Sequence, residues 1–130
     1  MSRSVLVIDD DAGVRALLAT LLGRRGVGVE LARNGEVGLA KLQERDYDAI
    51  LLDLMMPDLD GFEVVQRLRS SAPELLQKVI VMTAVAERTL GQLDAASVRK
   101  VFRKPFDISE LMDEVCGVWS TAETSRAPLS

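Results

Sequence analysis

Five short apolar runs punctuate the chain: Val5-Leu6-Val7-Ile8, the weakly alternating Val27 to Ala32, Ala49-Ile50-Leu51-Leu52, Val79-Ile80-Val81-Met82, and Val101-Phe102. Unbroken apolar runs of this length fit parallel strands buried on both faces. The second run carries Glu30 and two glycine-flanked valines, and reads as a more peripheral strand. Between the runs, apolar positions switch to helical spacing. Val14, Leu17, Leu18, Leu21 and Leu22 predict a first helix, with Arg15, Arg24 and Arg25 on its other face and Gly26 as its stop. Asn34-Gly35 predicts a turn or cap, and Val37, Ala40 and Leu42 a short helix ending near Arg45 and Asp46. Phe62, Val64, Val65 and Leu68 predict a third helix, and Pro73 starts a new segment. Ala84 to Ser97 is helix-compatible but weakly patterned. In the last helix Ile108, Leu111, Met112, Val115 and Trp119 share a face, and Asp107 or Ser109 caps its start.

Strands that alternate with helices five times predict an α/β fold: one parallel sheet with helices on both faces, because parallel strands require right-handed crossovers. A second core, an internal repeat and a low-complexity region are all missing from the pattern. A domain over residues 1–119 is therefore expected, followed by a small, polar, proline-containing stretch, 120–130, that reads as a disordered tail or linker stub.

A chain of 130 residues suits one domain that buries roughly two-thirds of its unfolded surface. The composition, 48% hydrophobic and 28% charged, is near ordinary globular usage and argues against disorder and fibre. The net charge of −4, with sixteen basic residues spread along the chain, argues against nucleic-acid binding and suits protein partners. Cys116 is the sole cysteine and histidine is absent, so neither an internal disulfide nor an ordinary zinc site is expected. Acidic residues follow the first apolar run at Asp9, unlike a signal peptide. No apolar stretch approaches the ~20 residues that span a bilayer. Cytoplasmic location, with no membrane contact, is the expectation.

The apolar runs end in polar chemistry. Asp53 closes the third, and Met56-Pro57 and Asp60-Gly61 then turn the chain. Burying a lone carboxylate costs several kcal/mol without compensation, and in open parallel sheets ligands gather at the carboxyl ends of strands. Asp9 and Asp10 end the first run, Thr83 the fourth, and Lys104 follows the fifth. Taken singly, each has an ordinary explanation: a solvated turn, a cap, a strand-end residue, a loop lysine. Together at one sheet edge they point to phosphoryl chemistry. Three neighbouring carboxylates resist ionising together without a cation. All-oxygen ligands favour Mg²⁺, which is held by few carboxylates. Lys104 supplies a point charge and Thr83 a hydroxyl, and a carboxylate that attacks phosphorus forms an aspartyl phosphate. Asp58-Leu59-Asp60-Gly61 imitates part of a calcium loop, but Met56 and Arg67 stand where an EF-hand needs acids.

The blocks Val-Leu-Val-Ile-Asp9-Asp10-Asp11, Leu-Leu-Asp53-Leu-Met-Met-Pro57-Asp-Leu-Asp-Gly61, Val-Ile-Val-Met-Thr83-Ala84 and Arg-Lys104-Pro105-Phe106 resemble the response-regulator receiver domain, the CheY-like module of two-component signalling. The likeness spans Ser4 to Trp119. It implies a flavodoxin-like, doubly wound, three-layer fold: a five-stranded parallel sheet in order 2-1-3-4-5 with five helices. It implies that Asp53 takes a phosphoryl group from a histidine kinase or phosphotransfer protein, so the chain is a phosphoacceptor rather than an enzyme. Mg²⁺ would be held by Asp9, Asp10, Asp53 and the Met55 carbonyl. Thr83 and Lys104 would contact the phosphoryl group, and Lys104-Pro105 would be cis. The switch and output surface would involve Thr83, Val101 and Phe106. Val101 stands where the family commonly has an aromatic residue that turns inward, and Phe102, one place on, should face the other side of the strand. The stretch from Thr83 to Lys104 is slightly short, and Ala95-Ala96-Ser97 lacks a usual glycine. Met55 and Val85 flank the path of hydrolytic water in this family, and both are apolar here, which implies a long-lived phosphorylated form.

Two other readings compete. A haloacid-dehalogenase-type phosphatase would use Asp9 as nucleophile, but Gly13 departs from its motif, an acidic pair after Lys104 is lacking, and Asp53 goes unexplained. A degenerate receiver that only binds proteins would not need the full set Asp9, Asp10, Asp53, Thr83 and Lys104.

Overall fold

The computed structural model describes residues 3–126. The elements alternate as β1 (Ser4–Ile8), α1 (Ala12–Arg24), β2 (Gly28–Ala32), α2 (Gly35–Glu44), β3 (Ala49–Asp53), α3 (Gly61–Ser71), β4 (Val79–Thr83), α4 (Glu87–Leu90), β5 (Lys100–Arg103) and α5 (Ile108–Arg126). All strand pairings are parallel, and the sheet order is β2-β1-β3-β4-β5. The parallel sheet is what the alternating pattern predicts, and the doubly wound strand order is the one the receiver-domain resemblance implies.

The three central strands explain their own sequences. Along β1, β3 and β4, successive residues enter opposite cores. Leu6, Ile8, Ile50, Leu52, Val79 and Val81 face one core with α2 and α3, while Val5, Val7, Ala49, Leu51, Ile80 and Met82 face the other with α1 and α5. Both faces are covered, so no polar position is tolerated until the strands end. Each fully buried aliphatic side chain contributes about 1.5–3 kcal/mol, which makes this trio the stable centre of the sheet.

Helix starts follow the capping rules. The Asp11 carboxylate accepts from Gly13 and Val14 N–H, Asn34 from Val37, and Asp60 from Glu63. Asp107 accepts from Ser109 and Glu110 N–H, which settles the choice between Asp107 and Ser109 as cap.

Some elements depart from the sequence reading. Leu17, placed on the apolar face of α1, is 51% exposed, whereas Leu18 and Leu22 are buried. The stretch 84–97 yields only the single turn of α4 and a 3₁₀ turn at Ala95–Ser97. Pro73 does start a new segment, a 3₁₀ helix over Pro73–Lys78. Helix α5 continues past Trp119 to Arg126, into the stretch read as a tail, with neither glycine nor proline from Val118 to Arg126 to stop it. Residues 127–130 of that stretch lie outside the described residues.

The loop from β3 into α3 is packed directly beneath the strand end. Gly61 N–H donates to the Leu54 carbonyl at 3.1 Å. A Cβ at Gly61 would lie 2.4 Å from the Asp53 carbonyl oxygen and 2.6 Å from Leu54 Cα, both backbone atoms. Gly61→Ala is expected to destabilise the fold by about 1–3 kcal/mol. Urea titration should show a lower midpoint at unchanged slope, and an alanine variant as stable as the native chain would contradict this packing.

Candidate functional site

The sheet register assembles the site. β1 pairs with β3 through Ile8↔Leu52, so Asp9 emerges beside Asp53; β3 pairs with β4 through Asp53↔Met82, which places Thr83 one residue further out. β4 pairs with β5 through Thr83↔Arg103, and Lys104 follows, its N–H donating to the Thr83 carbonyl at 2.7 Å. The Lys104-Pro105 bond is cis. Asp9, Asp10, Asp53, Thr83 and Lys104 thus share one edge.

Asp9, Asp10 and Asp53 each offer a carboxylate oxygen, and these three atoms all lie within 4.8 Å of one another. Asp9 and Asp53 are buried; Asp10 is exposed. Asp9 Oδ1 accepts from Asp11 N–H at 2.9 Å, and Asp53 Oδ1 accepts from Met55 N–H at 3.1 Å. Among the described residues, Asp9 Oδ2 is the buried side-chain oxygen without a hydrogen-bond partner. Lys104 Nζ stands 3.9 Å from Asp9 Oδ2 and 3.8 Å from Asp53 Oδ2, too far to hydrogen-bond but close enough to attract both. Burial pushes the Asp53 carboxyl up to about 6, and the neighbouring Asp9 and Asp10 charges add to this against the pull of Met55 N–H and Lys104. Burial likewise raises Asp9. A buried acid pair that one lysine does not neutralise, with one oxygen unsatisfied, is chemically suited to a small hard cation.

Thr83 is fully buried and its Oγ1 accepts from Val85 N–H at 3.1 Å. The mouth of the site is a cavity of about 410 Å³ whose walls include Asp10, Met55, Met56, Pro57, Val85 and Thr89. Met55 is 56% exposed there, whereas Val85 is 5% exposed. Val101 packs against the α2/α3 core and Phe102 sits in the opposite one, as strand alternation demands. Phe106 lies on the Phe102 side, edge-on to its ring with centroids 6.0 Å apart. Val101 and Phe106 therefore occupy different faces of the sheet.

Arg15 escaped the sequence reading, which placed it on the polar face of α1. Its Nη1 donates to the Asp9 carbonyl oxygen at 2.7 Å. Helical periodicity carries no signal for a side chain that folds back onto the preceding loop.

Doubly wound topology and an acidic, lysine-bearing edge define a class: an α/β domain with a candidate cation site at the carboxyl end of its sheet. Residues 5–116 match the family described as response regulator receiver domain, and the chain belongs to that family. It is similar to the response regulator MprA of Mycobacterium bovis (strain BCG / Pasteur 1173P2), 43% identical over 115 residues that cover 86% of this chain and 48% of that protein. The chain thus spans about half the length of the relatives it matches in sequence. Among solved structures it resembles the response regulator TrrA of Thermotoga maritima, crystallised in complex with Mg(2+)-BeF, with TM-score 0.78, 30% identity, and coverage of 89% of this chain and 98% of that one. The receiver domain of a histidine kinase from Syntrophus aciditrophicus shares the fold at TM-score 0.85, with 23% identity over 99% of this chain and 97% of the other.

The chain is accordingly a two-component receiver domain, a phosphoacceptor rather than a classical enzyme, with an acidic pocket consistent with Mg²⁺-dependent aspartate phosphorylation. The dehalogenase-type reading, with Asp9 as nucleophile, loses its ground. Among the described residues, no helix is long and apolar enough to cross a membrane.

Proposed function

We propose that Asp53 accepts a phosphoryl group from the phosphohistidine of a histidine kinase or phosphotransfer protein, and that this switches a protein-binding surface. The observation that carries this reading is the convergence of Asp9, Asp10 and Asp53 beside Lys104, with Asp9 Oδ2 buried and unsatisfied. Asp9, Asp10, Asp53 and the Met55 carbonyl would hold Mg²⁺, a choice supported by the Mg(2+)-BeF complex of TrrA. When bound, the ion supplies positive charge for the phosphoryl oxygens. The chain's own groups do the rest. Met55 N–H fixes Asp53 Oδ1, which leaves Oδ2 toward Lys104. A carboxylate oxygen of Asp53 forms the new P–O bond as the donor's P–N bond breaks, and the electron pair leaves with the imidazole ring. Lys104 pairs with a phosphoryl oxygen. The Thr83 hydroxyl accepts from Val85 N–H and keeps its own proton to donate to another.

Thr83, Val101 and Phe106 make up the switch region in this reading. Val101 and Phe106 lie on opposite faces, and Val101 has no ring to turn. The signal therefore passes from Thr83 through the β4–α4 loop rather than through an aromatic rotamer on β5. In this reading the receiver unit, taken from the sequence as residues 1–119, also includes the rest of α5 to Arg126, and it works in the cytoplasm, without nucleic-acid or membrane contact of its own.

Acetyl phosphate with Mg²⁺ tests the site by intact mass. The native chain should gain one phosphoryl group, Asp53→Asn should not, and Asp9→Asn should retain some gain under forcing conditions. The reverse pattern, with gain lost in Asp9→Asn and kept in Asp53→Asn, would restore the phosphatase-like arrangement. No gain from any competent donor would leave an interaction module.

A further inference from the structure

We infer that Arg15 is a positioning residue for the acidic site: its guanidinium fixes the Asp9–Asp10 peptide and thereby aims the two carboxylates that would hold the cation. The inference rests on the Mg²⁺ reading above.

The backbone around Asp9 is held on every side. Its N–H donates to the Ala32 carbonyl at 3.1 Å, which continues the β1–β2 ladder. Its carboxylate Oδ1 takes the Asp11 N–H at 2.9 Å. Its carbonyl oxygen takes Arg15 Nη1 at 2.7 Å, a length typical of a charge-assisted bond. That carbonyl belongs to the peptide linking Asp9 to Asp10, so its orientation sets the direction in which Asp10 leaves the backbone. Asp10 is exposed, and its aim depends on that peptide. Arg15 itself is half-buried on the first turn of α1, whose start is fixed by the Asp11 cap. One helix turn thus ties the loop that carries both acids to the body of the domain.

The choice of acceptor matters. A guanidinium on a carboxylate would compete with a cation for that oxygen, whereas on the carbonyl it leaves the carboxylates available. As a bare charge, however, Arg15 repels a cation at the site. The two roles therefore predict opposite signs. Removal of a positioning group weakens Mg²⁺ binding; removal of a repelling charge tightens it.

Calorimetric titration of Mg²⁺ into the full chain at pH 7.5 separates them. Arg15→Ala, checked for folding by circular dichroism, is expected to bind Mg²⁺ about tenfold more weakly, the usual scale for loss of a group that orients a ligand. Arg15→Lys should fall between the two, and Arg24→Ala, which removes an equal charge from the far end of α1, should match the native chain. In the metal-free proteins, the Asp10 amide nitrogen resonance should move in Arg15→Ala but not in Arg24→Ala. Equal or tighter Mg²⁺ binding by folded Arg15→Ala overturns the inference. If the alanine variant does not fold, Arg15→Gln carries the same test with the same signs. A native chain that takes up no Mg²⁺ at millimolar concentration would instead remove the metal reading, and this inference with it.

Discussion

Metal-free Asp53→Asn is expected to be more stable than the native chain at pH 7.5, by about 2–3 kcal/mol. The folded-state carboxyl is raised from an ordinary 3.8 to about 6, so between these values the native state binds more protons than the unfolded chain. Stability from this group is therefore fully present below pH 4 and declines as pH rises through 6. Above that, the folded protein must hold an ionised Asp53 that burial and the Asp9 and Asp10 charges both disfavour. Asparagine can still accept from Met55 N–H but carries no charge, so the cost disappears. Urea unfolding in EDTA across pH 5 to 8 should show a native curve that falls and a flatter Asp53→Asn curve. Added Mg²⁺ should then raise the native chain's stability more than the variant's, because binding to the folded state alone adds stability with ligand concentration. If Asp53→Asn proves less stable than the native chain in EDTA at neutral pH, the raised carboxyl is wrong. Evolution has in this view placed a destabilising group at the sheet edge, as sites often do.

What the sequence made legible follows from burial. β1, β3 and β4 are covered on both faces, so Val5 to Ile8, Ala49 to Leu52 and Val79 to Met82 are uninterrupted apolar runs whose ends stand out. The candidate site residues sit at those ends, which is why Asp9, Asp53 and Thr83 stand out in the sequence as polar groups that close apolar runs. α1 was harder. Five apolar residues widen its stripe until the buried face is ambiguous, and only packing shows that Leu17 faces solvent while Leu18 and Leu22 do not. Other features depend on contacts between distant segments. Tyr47 is buried with its hydroxyl on Glu30 at 3.0 Å, and Glu30 also takes Lys41 and Arg45. This polar knot secures β2, whose weakly alternating sequence carries a fainter apolar signal than the three central strands. The Arg15 bond to the Asp9 carbonyl belongs to the same category: it is chemistry between a side chain and a peptide, and no residue pattern encodes it.

The phosphorylated chain is expected to keep its label far longer than a variant with an acid at the mouth of the site. With Asp53 as the proposed phosphoacceptor, hydrolysis requires a water placed in line with its bond to phosphorus, and a side chain that orients the water or takes its proton accelerates such a step by about 10²–10⁴-fold. Met55 and Val85 wall the cavity beside Asp53, the first 56% exposed and the second only 5%. Neither side chain can accept a proton or direct a water molecule. Val85 is additionally fixed through its N–H to Thr83 Oγ1, so its apolar side chain is held in the wall rather than swung aside. Met55→Glu puts a carboxylate at the exposed position without disturbing the core, and should shorten the lifetime of the phosphoryl group about tenfold or more. Met55→Leu, equally apolar, should leave it unchanged. Loss of label from purified phosphoprotein, with no phosphatase present, is the measurement. Equal decay of native and Met55→Glu proteins would show that the wall does not control water, and rapid decay of the native chain would show that water enters by another route. Slow decay with acceleration only by the acid makes the apolar wall a timer: the domain would then report a signal that outlasts the kinase reaction and ends when a partner supplies the missing base.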